Sequence, residues 1–231
     1  MTVLQKVIKW LKNYWYYYKW RVIVIAFVLA VVIFCVVQCS MQEKYSIFIT
    51  YSGPDHISLR IDDIRSAVKS TFKSDAEKNA QSISVRDIVW VNSKLAAKYQ
   101  DEGIYYNAAQ NSDNAKLLDV EAASGDSFIY ILDSEQYERL KRQGVFAPLS
   151  EIFGTDIPAS AYDEYGIKFK DTEFASYFPC FADMSDDLIL CLRTKDLSAS
   201  LINTMKGKKA YEKSYALHKT VFIDIVRFEV K

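Results

Sequence analysis

The sequence predicts an α/β protein: an N-terminal transmembrane helix followed by a single three-layer domain built on a mostly parallel sheet. Three observations predict it. Sixteen consecutive residues, Val22 to Val37, carry no polar side chain. Five basic residues and no acid precede them. Beyond them, short β-rich runs alternate three times with helical patterns, the order that gives parallel strands joined by crossover helices. The chain divides accordingly into a cytoplasmic basic tail (1–19), a transmembrane helix (20–39), a linker (40–44) and an extracytoplasmic α/β domain (45–231).

A bilayer core takes about 20 helical residues. The apolar run reaches that length through its flanks. Trp20 and the cluster Tyr14, Trp15, Tyr16, Tyr17, Tyr18 suit the headgroup boundary, and Lys19 and Arg21 can snorkel back to it. Gln38, Cys39 and Ser40 extend the far end. Lys6, Lys9, Lys12, Lys19 and Arg21 precede the span and the first acid is Glu43, so the N-terminus is expected in the cytoplasm. A cleaved signal peptide is one alternative, although Val37-Gln38-Cys39 offers no small-x-small cleavage site. Acylation at Cys39 is another, although Gln38 is a poor residue before a lipoprotein cysteine. Val3, Leu4, Val7, Ile8, Leu11, Tyr14, Trp15 and Tyr18 recur at helical spacing, with the lysines off that stripe. The first eighteen residues therefore read either as an amphipathic helix on the inner leaflet or as a basic tail that only sets topology.

Past the first 42 residues the chain carries 24 Lys and Arg against 29 Asp and Glu, a net charge near −5. That balance argues against a nucleic-acid partner. The lipid bilayer is the expected partner, and another membrane or surface protein is a further one. Of the four cysteines, Cys35 is a filler of the span and Cys39 lies at its outer edge. Cys180 and Cys191 could form a disulfide or remain thiols.

The outer domain opens with a strand, Tyr45 to Tyr51, that ends at the turn signal Ser52-Gly53-Pro54. Ile57, Ile61, Ile64, Val68 and Phe72 recur at helical spacing. Ser82 to Val91 is a second strand, and Gln100 to Asn107 reads as a loop. Asn111 or Ser112 can cap a helix that closes at Gly125. Asp126 to Leu132 is a third strand, apolar enough for a buried parallel position. Asp133 or Ser134 caps the helix of Ser134 to Gln143, which Gly144 ends. Leu188 to Arg193 is a fourth strand. Ser198 or Ser200 is expected to start a short helix that breaks near Gly207, and Lys208 to Arg227 reads as a long helix with Tyr211, Tyr215, His218, Phe222 and Ile225 on one stripe.

Ala123-Ser124-Gly125-Asp126 with the following strand resembles the A-x-G-x-x-D-hydrophobic segment of bacterial extracellular solute-binding proteins. Gln143-Gly144-Val145-Phe146-Ala147-Pro148-Leu149 is similar to the G-x-hydrophobic-x-P-L stretch of the same family. The match covers Leu118 to Leu149. The resemblance implies one lobe of a periplasmic-binding-protein-like fold, since the segment after Leu149 is too short for a second. The whole chain also resembles uncharacterised single-pass membrane proteins of Gram-positive bacteria, which enter the span as Tyr17-Tyr18-Lys19-Trp20 does here.

No catalytic set is visible. Neither a Ser-His-Asp order nor a G-x-S-x-G elbow is present, and no phosphate loop or dinucleotide fingerprint appears. His56 follows a Gly-Pro turn, and His218 lies on an apolar stripe. Asp183, Asp186 and Asp187 lack the glycine bend and downstream acid of a calcium loop. The expectation is a non-enzymatic outer domain that binds a ligand or partner, with no cofactor and no metal. The alternative is an accessory subunit of a membrane complex for transport or envelope assembly. Ligands of open α/β sheets sit beyond the C-terminal ends of the strands. That rule points to Tyr51, Ser52, Asn92, Ser93, Asp133 and Ser134.

Overall fold

The computed structural model describes residues 3–40, 46–73, 77, 82–124, 127–195 and 205–230. Contacts divide the chain into two units, Met1–Lys44 and Tyr45–Lys231. The first unit is one helix, α1 (Val3–Ser40). Its stretch Tyr14–Val36 is long and apolar enough to cross a membrane, with a mean hydropathy of 2.5 over its most apolar eighteen residues, none of which is buried in the protein. No break separates residues 3–18 from the apolar stretch, so α1 runs about 57 Å at the helical rise. Trp10, Tyr14 and Tyr18 stack in turn, with ring centroids 5.5 and 5.0 Å apart, because residues four apart share a helix face.

The second unit is mixed α/β around a five-stranded sheet among the described residues. The strands are β1 (Ile47–Gly53), β2 (Ile83–Val89), β3 (Ile129–Asp133), β4 (Gly166–Lys168) and β5 (Leu188–Leu192), in the order β2-β1-β3-β5-β4. β1 pairs parallel with β2 and β3. β5 pairs antiparallel with both β3 and β4. Four strands therefore point one way and β5 alone is reversed. The sheet is mostly parallel, but its last strand returns between two older ones, which no apolar run in the sequence reveals.

The helices are α2 (Ile61–Ser70), α3 (Ser93–Asp101), α4 (Ala108–Ser124), α5 (Ser134–Lys141), α6 (Leu149–Phe153), α7 (Glu173–Tyr177) and α8 (Met205–Val226). α2 buries Ile64, Ala67 and Val68 at i, i+3, i+4 and exposes Asp62 and Asp63, which suit its N-terminal dipole. α3 occupies a stretch whose end, Gln100 and Asp101, reads as loop by composition. Its Asn92 cap and the positive φ of Gly103 (67°) fix its two ends. α4 begins three residues before Asn111, with Asn107 accepting from Gln110 N at 3.1 Å. α8 runs through Gly207 without a break; Ser198 and Ser200 lie outside the described residues.

Two apolar clusters meet the sheet through alternate residues of β3 and β5. One takes Ile129, Ile131, Leu188, Leu190 and Leu192 together with α2, α6, α7 and α8. The other takes Tyr130, Leu132, Ile189 and Cys191 together with Leu118 and Ala122 of α4 and Tyr137 and Leu140 of α5. Every residue of β3 and β5 is buried, and each such large apolar side chain contributes about 1.5–3 kcal/mol. Cys180 and Cys191 are both free, so they form no disulfide; Cys191 is wholly buried on β5, where burial pushes its thiol pKa up.

Candidate functional site

The strand ends come first, because topology points there. Asn92 precedes α3 and accepts from Leu95 N at 2.9 Å, while its amide donates to Asp133 Oδ2 at 2.8 Å. The other Asp133 oxygen accepts from Glu135 N at 3.0 Å and so caps α5. Ser93 donates to Glu135 twice, from its N at 2.9 Å and from its Oγ at 2.5 Å. Ser134 N donates to Asp187 O at 3.0 Å. Asn92, Ser93, Asp133 and Ser134 are thus brought together, but their polar groups are taken up within the fold. The Glu135 carboxylate already occupies the N-terminus of α3, the place an anionic ligand would take. Asp133 is fully buried, and that burial raises its carboxyl pKa against the opposing pull of the Asn92 hydrogen bond.

Tyr51 and Ser52 lie on the neighbouring strand β1, where Ser52 pairs with Leu132 beside Asp133, but neither side chain bonds to this group. Tyr51 OH donates to Asp55 Oδ2 at 3.0 Å and accepts from Asp55 N at 3.1 Å. Ser185 N donates to the same Asp55 oxygen at 2.8 Å, which ties the Asp183–Asp187 turn to β1. Burial raises the Tyr51 phenol far above its ordinary range, so it stays protonated and serves as a strut. Ser52 is fully buried and its Oγ has no hydrogen-bond partner among the described residues. Asp183, Asp186 and Asp187 are not buried, and no cluster of three or more metal-ligating side chains occurs among the described residues.

A second polar group lies inside. Thr50 Oγ1 donates to Ser127 Oγ at 2.8 Å, and Ser127 Oγ donates to Glu121 Oε1 at 2.7 Å. Arg86 closes the chain with an ion pair to the other Glu121 oxygen. Glu121 is only 1% exposed, and the group joins α4 to β1 and β2. His218 is wholly buried on α8. Its Nε2 accepts from Phe48 N at 2.9 Å, and its Nδ1 lies 2.7 Å from Ser214 O. One neutral tautomer satisfies both contacts. Burial, with the nearby Arg193 charge, holds the imidazole pKa down at about 4.

No family model, curated protein or solved structure matches this chain.

The open concavity lies elsewhere. A groove of about 650 Å³ runs between the C-terminal end of α2, α7 and the chain after α8. Its walls are aromatic: Phe72, Tyr177, Phe178 and Phe228. The rings of Tyr177, Phe178 and Phe228 lie 4.9 to 5.5 Å apart pairwise and brace one another. Tyr177 is half exposed, and a second cavity of about 600 Å³, lined also by Glu173 and Ser176, shares Tyr177, Glu229 and Val230 with the groove. A crossover helix runs against its strands, so the end of α2 marks the edge opposite the strand C-termini. Topological reasoning missed these residues for that reason. The signal that finds them is compositional: four aromatic residues fall within Phe174–Phe181, and Phe228 adds a fifth ring at the same place.

Proposed function

We propose that this is a single-pass membrane protein with a cytoplasmic N-terminus and an extracytoplasmic, non-enzymatic binding domain. The observation that carries the anchoring is the apolar stretch Tyr14–Val36, which is buried against nothing in the chain. Leaving so many apolar side chains in water costs on the order of tens of kcal/mol, and lipid removes that cost. The basic residues that precede the span, with no acid among them, support the orientation. The outer unit is read as a three-layer lobe like one lobe of a solute-binding protein, with another protein in place of the missing half. Its binding surface is the aromatic groove, because Asn92, Ser93 and Asp133 at the strand ends are committed to one another and to Glu135.

A second reading is an accessory subunit of a membrane complex. The stacked Trp10, Tyr14 and Tyr18 favour it, since they form one aromatic edge along α1 that a neighbouring helix could take. Two measurements test the proposal. The protein should stay in the membrane through carbonate washing, and protease added to intact cells should digest the part after Lys44. Release by carbonate removes the anchor, and protection of the outer part reverses the orientation.

A further inference from the structure

The two cavities that meet at Tyr177 differ in charge. The aromatic half carries Lys73 and Arg227 on its rim. Both are already neutralised: Lys73 Nζ lies 3.3 Å from Asp224 Oδ1, and Arg227 Nη2 lies 2.5 Å from Asp156 Oδ2. The Arg227 guanidinium also covers the Phe153 ring at 5.4 Å. Glu173 lines the other half and Glu229 lines both; the two carboxylates are exposed, and neither has an ion pair among the described residues. The charge left uncompensated along the groove is therefore negative, on a domain that is itself net negative.

From these features we infer that the groove takes a short extended segment of another polypeptide in which an apolar side chain is followed by lysine or arginine. This rests on the reading of the groove as the binding surface and names the partner's chemistry. The apolar side chain enters between Phe72, Phe178 and Phe228, where contact with ring faces excludes water. The cationic head passes the exposed Tyr177 ring, which attracts it electrostatically, and ends between the Glu173 and Glu229 carboxylates. A small amine fills only the acidic half and an uncharged apolar compound only the aromatic half. A chain that carries both groups uses the two cavities together. Acidic segments are disfavoured, since they would meet the unpaired carboxylates at one end and cations without spare charge at the other.

The test uses the full-length protein in a zwitterionic detergent and two fluorescein-labelled hexapeptides, one alternating Phe and Lys and one alternating Phe and Glu. Anisotropy titrations should show the lysine peptide binding and the glutamate peptide failing to bind. The double variant Glu173→Gln/Glu229→Gln changes only exposed side chains and should weaken the lysine peptide about five- to tenfold, the range expected for two solvent-exposed charge contacts. Wild-type affinity should fall as salt rises, and the variant's should fall less. Equal binding of both peptides, or an unchanged double variant, overturns the charge assignment. Tyr177→Ala separates the two levels. If it abolishes binding of either peptide, the groove is the binding surface whatever its charge preference. If no peptide responds to it, the groove reading itself fails.

Discussion

His218 shows how a single buried group sets a condition on the whole domain. Its neutral ring accepts from Phe48 N and meets Ser214 O, so protonation would break the first contact and place a charge near Arg193. The imidazole pKa is about 4 in the folded chain and near 6.5 when unfolded, so the unfolded chain binds the extra proton first. Stability from this group is full above about pH 6.5 and is lost as pH falls toward 4, by on the order of 3 kcal/mol. Urea titrations between about pH 7.5 and 4.5 should show the decline, and His218→Asn should flatten it. Gly166 makes a steric point at the same scale. A Cβ there would sit 2.5 Å from Ile189 Cγ2 and 2.9 Å from the Tyr137 ring. Gly166→Ala should cost about 1–3 kcal/mol by overpacking, read as a lower denaturation midpoint. The sequence marks His218 as a residue of an apolar stripe, but not the Phe48 amide it meets 170 positions away. Nor does it mark Gly166, whose constraint comes from side chains on β5 and α5.

Elements were legible where pattern and caps agree. α2, β3, α5 and α8 lie close to where periodicity places them, because apolar spacing decides which face a helix or strand can bury. α3 was hidden because it buries no residue, so it lacks the apolar rhythm that betrays a helix. β4 was hidden because it has three residues and gains its place from pairing with β5. The candidate site divides the same way. Proximity of Asn92 and Asp133 follows from strand topology, but their mutual hydrogen bond follows only from geometry. Asp133→Ala removes both the α5 cap and the acceptor of the Asn92 amide and should cost about 1–3 kcal/mol in thermal or urea melts. It should leave peptide affinity unchanged, since the groove lies at the other edge of the sheet.

At the scale of the molecule, the two units ask for different solvents. The Tyr14–Val36 stretch is long and apolar enough to cross a membrane and is buried against nothing in the chain, whereas Tyr45–Lys231 closes two apolar clusters on its own sheet. The membrane retention and surface digestion expected above belong to this division, which was legible early because an apolar run needs no tertiary context. The groove was not, since Phe72, Tyr177 and Phe228 meet only after the chain has passed through α8. The reversed strand β5 has a further consequence for how the chain is made. As the polypeptide emerges from the ribosome, β3 is complete at Asp133 with β1 already made, yet the neighbour on its other side, β5, begins only at Leu188. Throughout that interval the edge of β3 that faces away from β1 is unpaired and apolar, the kind of edge that recruits foreign strands. A chain that stops short of Leu188 should therefore aggregate where one that continues through β5 does not, an outcome that light scattering on the two lengths reads directly.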